Sequence, residues 1–463
     1  MDKKHLWVLT EERPKKAVIE HILCRFARDR RFACFLDKLR ILPILENGRF
    51  SFLYEITGFH CNRVDRIYVR CIGGTSSFVD FLIFYQNDQP DATSAPIYAI
   101  EETKTDDSES RNTAVGQRSA KFVHIGQYYP NTKMIMLYNL RIPPKARPTA
   151  TNVFGTRLLQ TIGVEFIGKE LDPEVFRPFS SVDEILESKR TMRRPPSGNV
   201  PILINKANGV ITISGRLIKS NALAHDPSIG QLSAISAALR QLGWAGRIVV
   251  TSHGLLQKHL HSRNKFVRIA NALAVELDGL TMPKAVDKGV YWNYESEGEK
   301  LGTVFIHIVV ENFTEGYSIF ENHAGCEKGY FLTKEGTPLQ IEKYSDRAAY
   351  KAGDRTKIIS IPDLILIDFG RSEIINVEGK RYRFRHDGIR ELASFSDIEA
   401  RYIRPHYPEF HILRTVVLYG SKEQRLIEIE VGFLLNEDGD LILGVRAPAL
   451  FREAIKNLLD FWA

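Results

Sequence analysis

Two stretches of this chain set an aspartate on an apolar, strand-like run and follow it with Glu-x-Lys. One is Phe78-Val79-Asp80-Phe81-Leu82-Ile83-Phe84, then Glu101-Glu102-Thr103-Lys104; the other is Ile361-Pro362-Asp363-Leu364-Ile365-Leu366-Ile367-Asp368, then Glu378-Gly379-Lys380. Residues two apart on a strand share a face, so Glu378 is expected beside Lys380 and Glu102 beside Lys104. If a neighbouring strand brings Asp363 or Asp80 alongside, two carboxylates converge on a hard divalent cation, and magnesium completes its octahedron with carbonyl and water oxygens. Such an ion polarises a phosphodiester and lowers the pKa of a bound water. The lysine ammonium orients or helps deprotonate that water and offsets charge building on the phosphorane. The reaction is hydrolysis with no covalent intermediate. Without metal, like-charge repulsion makes one of the two buried carboxyls hold its proton more tightly.

Positioning such a site takes a sheet and a helix, and the pattern supplies both twice. An amphipathic helix is expected over residues 15–38, started by Pro14, with Val18, Ile19, Ile22, Leu23 and Phe26 on one stripe. Strands follow at 51–56, 66–70, 79–84 and 97–104, then a helix over 113–128 and a strand over 134–138. Proline-containing breaks stand at 141–148 and at Arg193-Arg194-Pro195-Pro196-Ser197-Gly198, the better linker. Beyond it, Asp226-Pro227 opens a helix stopped by Gly243, with a strand at 247–251. Strands at 304–310, 364–368 and 373–377, a helix over 388–403, a strand at 416–419 and a hairpin over 427–443 complete the chain. Acidic strand, Glu-x-Lys strand, helix, strand is the order around both motifs. The expected fold class is α/β with two mixed-sheet cores flanked by helices, arranged as an N-terminal core (1–150), a linker (151–198) and a C-terminal core (199–463) whose recognition region is about 199–345.

The bulk numbers agree with a multidomain globular protein. The chain has 463 residues, 44% hydrophobic and 26% charged, and domains run to roughly 100–200 residues. Lys plus Arg number 63 against 56 Asp plus Glu, a net charge of +7 that suits a polyanionic partner. Dense basic runs stand at Lys189–Arg194 and at Lys380–Arg385, the second directly after the stronger motif. Five cysteines at 24, 34, 61, 71 and 326 lack zinc-knuckle spacing, so free thiols in a reducing cytoplasm are expected. No apolar stretch reaches the ~20 residues of a membrane span, and no leader is evident. His253, His259 and His261 have no matching carboxylate spacing, and no Walker loop or Gly-x-Gly-x-x-Gly is present, which leaves nucleotide-driven chemistry without support.

Pro362-Asp363 with Glu378-Gly379-Lys380 resembles the PD-(D/E)XK nuclease superfamily, and more narrowly its type II restriction endonucleases. Residues 361–420 carry the resemblance best; the N-terminal copy departs from it with Val79 where proline often stands. The resemblance implies a mixed sheet flanked by helices, Mg2+ held by Asp363 and Glu378 and by Asp80 and Glu102, and a water-directing role for Lys380 and Lys104. It also implies double-stranded DNA as substrate. Some superfamily members add a glutamate from the first helix, for which Glu20 is the one well-placed candidate, although an exposed helical glutamate is the expected reading of it, and Gln117 on the helix after the first motif is a further candidate to approach the site. If both cores cut, one chain severs both strands, each core taking one; if only the C-terminal core cuts, two chains are needed, so monomer and homodimer both stay open. A structure-specific repair or recombination nuclease is the alternative built on the same kit.

Overall fold

A computed structural model describes residues 3–463 apart from 12, 75–78, 92, 104–112, 139–147, 169, 193–201, 218–226, 287–291, 296–297, 324–327, 423–430 and 445. In chain order the elements begin with β1 (Lys4–Thr10), α1 (Lys16–Arg30), β2 (Cys34–Glu46), β3 (Arg49–Cys61) and β4 (Val64–Gly74). Then come β5 (Phe81–Tyr85), β6 (Tyr98–Thr103), α2 (Thr113–Tyr128), β7 (Lys133–Tyr138), α3 (Ala150–Thr161), β8 (Val164–Ile167), α4 (Pro173–Phe176) and α5 (Val182–Thr191). β9 (Leu203–Ala207), β10 (Val210–Ser214), α6 (Pro227–Gln241), β11 (Arg247–Thr251), α7 (Lys265–Ala272), β12 (Val275–Leu277) and β13 (Trp292–Tyr294) follow. The last third holds α8 (Lys300–Phe313), β14 (Tyr317–Glu321), β15 (Lys328–Leu332), β16 (Pro338–Glu342), α9 (Arg347–Lys351), β17 (Leu364–Asp368) and β18 (Glu373–Arg381). It closes with α10 (Arg385–Leu392), α11 (Ser396–Ile398), α12 (Arg404–His406), β19 (His411–Ser421), β20 (Val431–Asn436), β21 (Leu441–Leu443) and α13 (Ala449–Trp462). The α/β class read from the sequence is what the chain adopts.

The chain divides into two compact units, Met1–Gly73 with Tyr294–Ala463, and Gly74–Asn293. The expected division at 150 and 198 therefore differs from the observed one. In place of a linker, 151–198 carries α3, β8, α4 and α5; the proline-rich break at 193–198 lies outside the described residues. The reason is packing around α8. Its residues from Leu301 to Val310 are all buried, so the helix needs cover on every side. Phe305 meets Phe50 of β3 at 4.8 Å and stacks on Phe433 of β20 at 5.5 Å, which binds the first 73 residues to the C-terminal sheet. The Val304–Val310 run, expected as a strand, is thus helix: a continuous apolar run has no period that separates a buried strand from a buried helix.

In the first unit β17 pairs antiparallel with β18, β18 parallel with β19, and β19 parallel with β20. β14 flanks β17 and β21 flanks β20. Leu364 to Ile367 are fully buried, as expected of a strand covered on both faces. Glu399, buried in a π-helical turn after α11, accepts from Asn376 Nδ2 (2.8 Å) and from Arg414 Nε and Nη2 (2.7 Å each), fixing the helical segment to β18 and β19. The β20–β21 turn is set by Asn436, whose Oδ1 accepts from the amides of Asp438 and Asp440.

The second unit repeats the pairing pattern. β5 is antiparallel to β6, β6 parallel to β7, and β7 parallel to β8. α2 lies between β6 and β7 in sequence, as the α10–α12 segment lies between β18 and β19. A separate sheet of order β12-β11-β10-β9 packs its apolar residues into the core that α2 and α3 share with α6 and α7. Its β9–β10 hairpin turns on Asn208-Gly209, both at positive φ (50° and 73°), the geometry a two-residue connection requires.

Candidate active sites

Asp363 directly precedes β17, and the register Leu364↔Val377 sets it across from Glu378 on β18. Its Oδ2 accepts the Gly379 amide at 3.0 Å, and its backbone carbonyl accepts the Asn322 amide at 2.7 Å, so both ends of the residue are fixed. Glu378 is buried, and its Oε1 accepts from Lys380 Nζ at 2.7 Å. Lys380 Nζ also pairs with Glu391 Oε2 of α10 at 2.9 Å. Gly379 is required here: a Cβ on it would lie 2.5 Å from Thr303 Cγ2 of α8 and 3.1 Å from Asp363 Oδ2. The sheet, α8 and α10 thus meet at one point, and the sequence trio Asp363, Glu378, Lys380 is brought together there.

Electrostatically the cluster is charged with acid. Burial pushes the Asp363 carboxyl up, with Glu299 and Glu391 adding to it against the Gly379 amide and Lys380. Burial also pushes Glu378 up, followed by the charge of Asp363. Lys380 loses by burial and gains more from its hydrogen bond to Glu378 and its pair with Glu391, so its pKa is raised and it stays an ammonium. Two carboxyls that resist ionisation together, beside a fixed cation, make a site that a divalent ion relieves.

The N-terminal site has the same register and a different composition from the one expected. Asp80 precedes β5, and Phe81↔Ile100 sets it across from Glu101. Its Oδ2 accepts the Glu102 amide at 2.6 Å, just as Asp363 accepts the amide of the residue after Glu378. Glu101 is therefore the counterpart of Glu378. Strand alternation turns the Glu102 side chain to the face opposite Glu101, and its backbone amide is what Asp80 accepts. Lys104 lies outside the described residues, and the strand position of Lys380 falls on Thr103. The lysine at Glu101 comes from α2: Lys121 Nζ donates to Oε1 at 2.8 Å and Oε2 at 3.0 Å. Arg118, one turn earlier, donates to Oε1 at 3.1 Å. Burial lowers the Lys121 pKa, but Glu101 and Asp80 outweigh it and the net shift is upward.

Sequence reasoning missed Glu101, Lys121, Arg118, Glu299 and Glu391. Glu101 was hidden because Glu101-Glu102 offers two phases and the Glu-x-Lys spacing to Lys104 favoured Glu102. No spacing in the motif pointed to Lys121, which reaches Glu101 from the helix after it. Glu20 is exposed on α1, the expected reading of it; Glu299, directly before α8, acts on Asp363, from a helix that the pattern hid. Gln117 belongs to α2, and its side chain lies outside the described residues. His253 is a satisfied core histidine, with Nε2 on the Asp278 carbonyl (2.9 Å) and Nδ1 accepting the Leu255 amide (3.0 Å). Comparison with protein-family models, curated proteins and solved structures finds no match for this chain.

Proposed function

We propose that the chain is a Mg2+-dependent endonuclease of double-stranded DNA, of the sequence-specific restriction type, with one core acting on each strand. The observation that supports this reading most is the repetition of one arrangement on two sheets of like topology. In both, an aspartate faces a glutamate across an antiparallel pair, accepts the next residue's amide, and a lysine ammonium meets the glutamate. A solvated charge pair has no reason to recur with the same register and the same backbone hydrogen bond.

In this reading Asp363 and Glu378 hold the ion in one core, and Asp80 and Glu101 in the other. The ion polarises the scissile phosphate and acidifies its bound water. Lys380 and Lys121 direct the attacking water and offset charge on the phosphorane. The basic run after β18 supplies phosphate contacts: Arg383 and Arg385 lie over the rings of Phe384 and Tyr382, which fixes the direction of their guanidinium groups. A second reading is favoured by Arg118. Glu101 carries two cations, one more than a lysine-only site provides, which suits a core that grips phosphate while the other core alone cuts. Digestion of a sequenced plasmid with Mg2+, with and without EDTA, followed by end mapping, tests the reading. Discrete Mg2+-dependent fragments with fixed ends are expected; ends scattered at junctions or flaps would favour a repair nuclease, and intact plasmid would remove the assignment.

A further inference from the structure

Beside the C-terminal site lies a second group of metal-ligand type that the hydrolytic chemistry does not use. His307 of α8, Glu321 of β14 and His323, two residues on, bring one ligand atom each within 4.8 Å of one another. Their other ring nitrogens each meet an oxygen. His307 Nε2 is 3.0 Å from Glu311 Oε1. His323 Nδ1 is 3.0 Å from the Thr303 hydroxyl, which also donates to the Lys300 carbonyl at 3.1 Å. His307 Nδ1 and His323 Nε2 face each other at 2.9 Å, the length of an N–H···N hydrogen bond, and Glu321 Oε2 stands 3.8 Å from His307 Nδ1. A cation that displaces the proton shared by the two rings gains both nitrogens and the carboxylate as ligands.

We propose that His307, His323 and Glu321 form a site for a borderline-soft divalent ion such as zinc, separate from the magnesium sites. The outer-nitrogen partners, Glu311 on one imidazole and Thr303 on the other, are the arrangement that orients metal-ligating histidines. Arg13 pairs with Glu311 at 2.6 Å and with Glu321 at 2.8 Å. These charges cancel much of the local negative field, so a hard ion gains little here and nitrogen ligation decides in favour of zinc over magnesium. Three protein ligands leave a fourth position for water. Because Thr303 also contacts Gly379 and the Asn322 amide holds Asp363, an ion here stiffens one wall of the C-terminal site.

The test is titration of the chelator-stripped full chain with Co2+ in magnesium-free buffer, reading the intense visible band of four-coordinate cobalt. One equivalent with that band is expected, displaced by zinc and retained in an Asp80→Asn/Asp363→Asn double variant, which disables both magnesium sites. His323→Ala should abolish the band, and Thr303→Val should weaken binding by about 10- to 100-fold. Should His323→Ala not fold, retention of the equivalent in the double variant still decides for the site. No four-coordinate band in the wild type, a band that survives in folded His323→Ala, or one lost in the double variant would overturn the proposal and leave a proton shared between the two imidazoles.

Discussion

At Glu378 and Asp363, burial comes first and neighbouring carboxylates add to it, Asp363 at Glu378 and Glu299 with Glu391 at Asp363, holding protons on the carboxyls, and this has consequences in solution. A carboxyl whose folded pKa exceeds its unfolded value, about 4, contributes stability that is fully present below that value and lost as pH rises through the folded one. The metal-free protein should therefore be less stable at neutral pH than in mild acid. Asp363→Asn should raise the metal-free melting temperature at pH 8, with the gain shrinking as pH falls toward 5; an equal gain at both pH values would contradict it. If Mg2+ binds as proposed, it would displace the retained proton, so its affinity should rise with pH and binding should release protons, measurable by calorimetry in two buffers of different ionisation enthalpy. In the other core Glu101→Gln should lower cleavage of one strand by a factor of roughly 10² or more, the size of effect expected when a group acting on the reacting centre is lost. Glu102→Gln should leave that strand's cleavage within a few-fold of wild type, because Asp80 accepts the Glu102 amide and strand alternation sets the Glu102 side chain on the face away from Glu101. Equal losses in a single-strand nicking assay would reverse the assignment.

α2 was legible because its apolar positions follow a helical period and it spans Thr113–Tyr128, the range read from the sequence; β17, Leu364–Asp368, was legible from its short, bounded apolar run, whereas the helix expected over 388–403 is broken by a π-helical turn at Glu399–Ile403. The C-terminal trio was legible because Glu378-Gly379-Lys380 admits one phase. In the N-terminal copy the adjacent glutamates left the phase open, and pairing to β5 decided it. α8 was illegible because a helix buried all round carries no amphipathic signature, and with it went Glu299 and the histidine cluster. Gly379 is where strand and helix meet, so Gly379→Ala should press on Thr303 and Asp363 Oδ2 and destabilise the protein by about 1–3 kcal/mol, the usual cost of overpacking. Urea denaturation measures it. Gly388→Ala meets the flexible stem of Lys380, with Cγ at 2.8 Å, and should cost activity while changing stability less.

For the molecule as a whole, the boundaries were the least legible feature. Pro and Gly mark turns locally, whereas the partner of residues 1–73 is decided by side chains more than 200 positions away, such as Phe50 against Phe305. Among the described residues no helix is long and apolar enough to cross a membrane. On the proposed reading, two cores of like topology in one chain would cut both strands of a duplex without a second copy. The most direct test is Mg2+-dependent digestion of supercoiled plasmid by wild type, Lys380→Ala and Lys121→Ala. Two working cores predict linear product from the wild type and nicked circles from either variant. Full linearisation by Lys380→Ala would contradict the account at its centre.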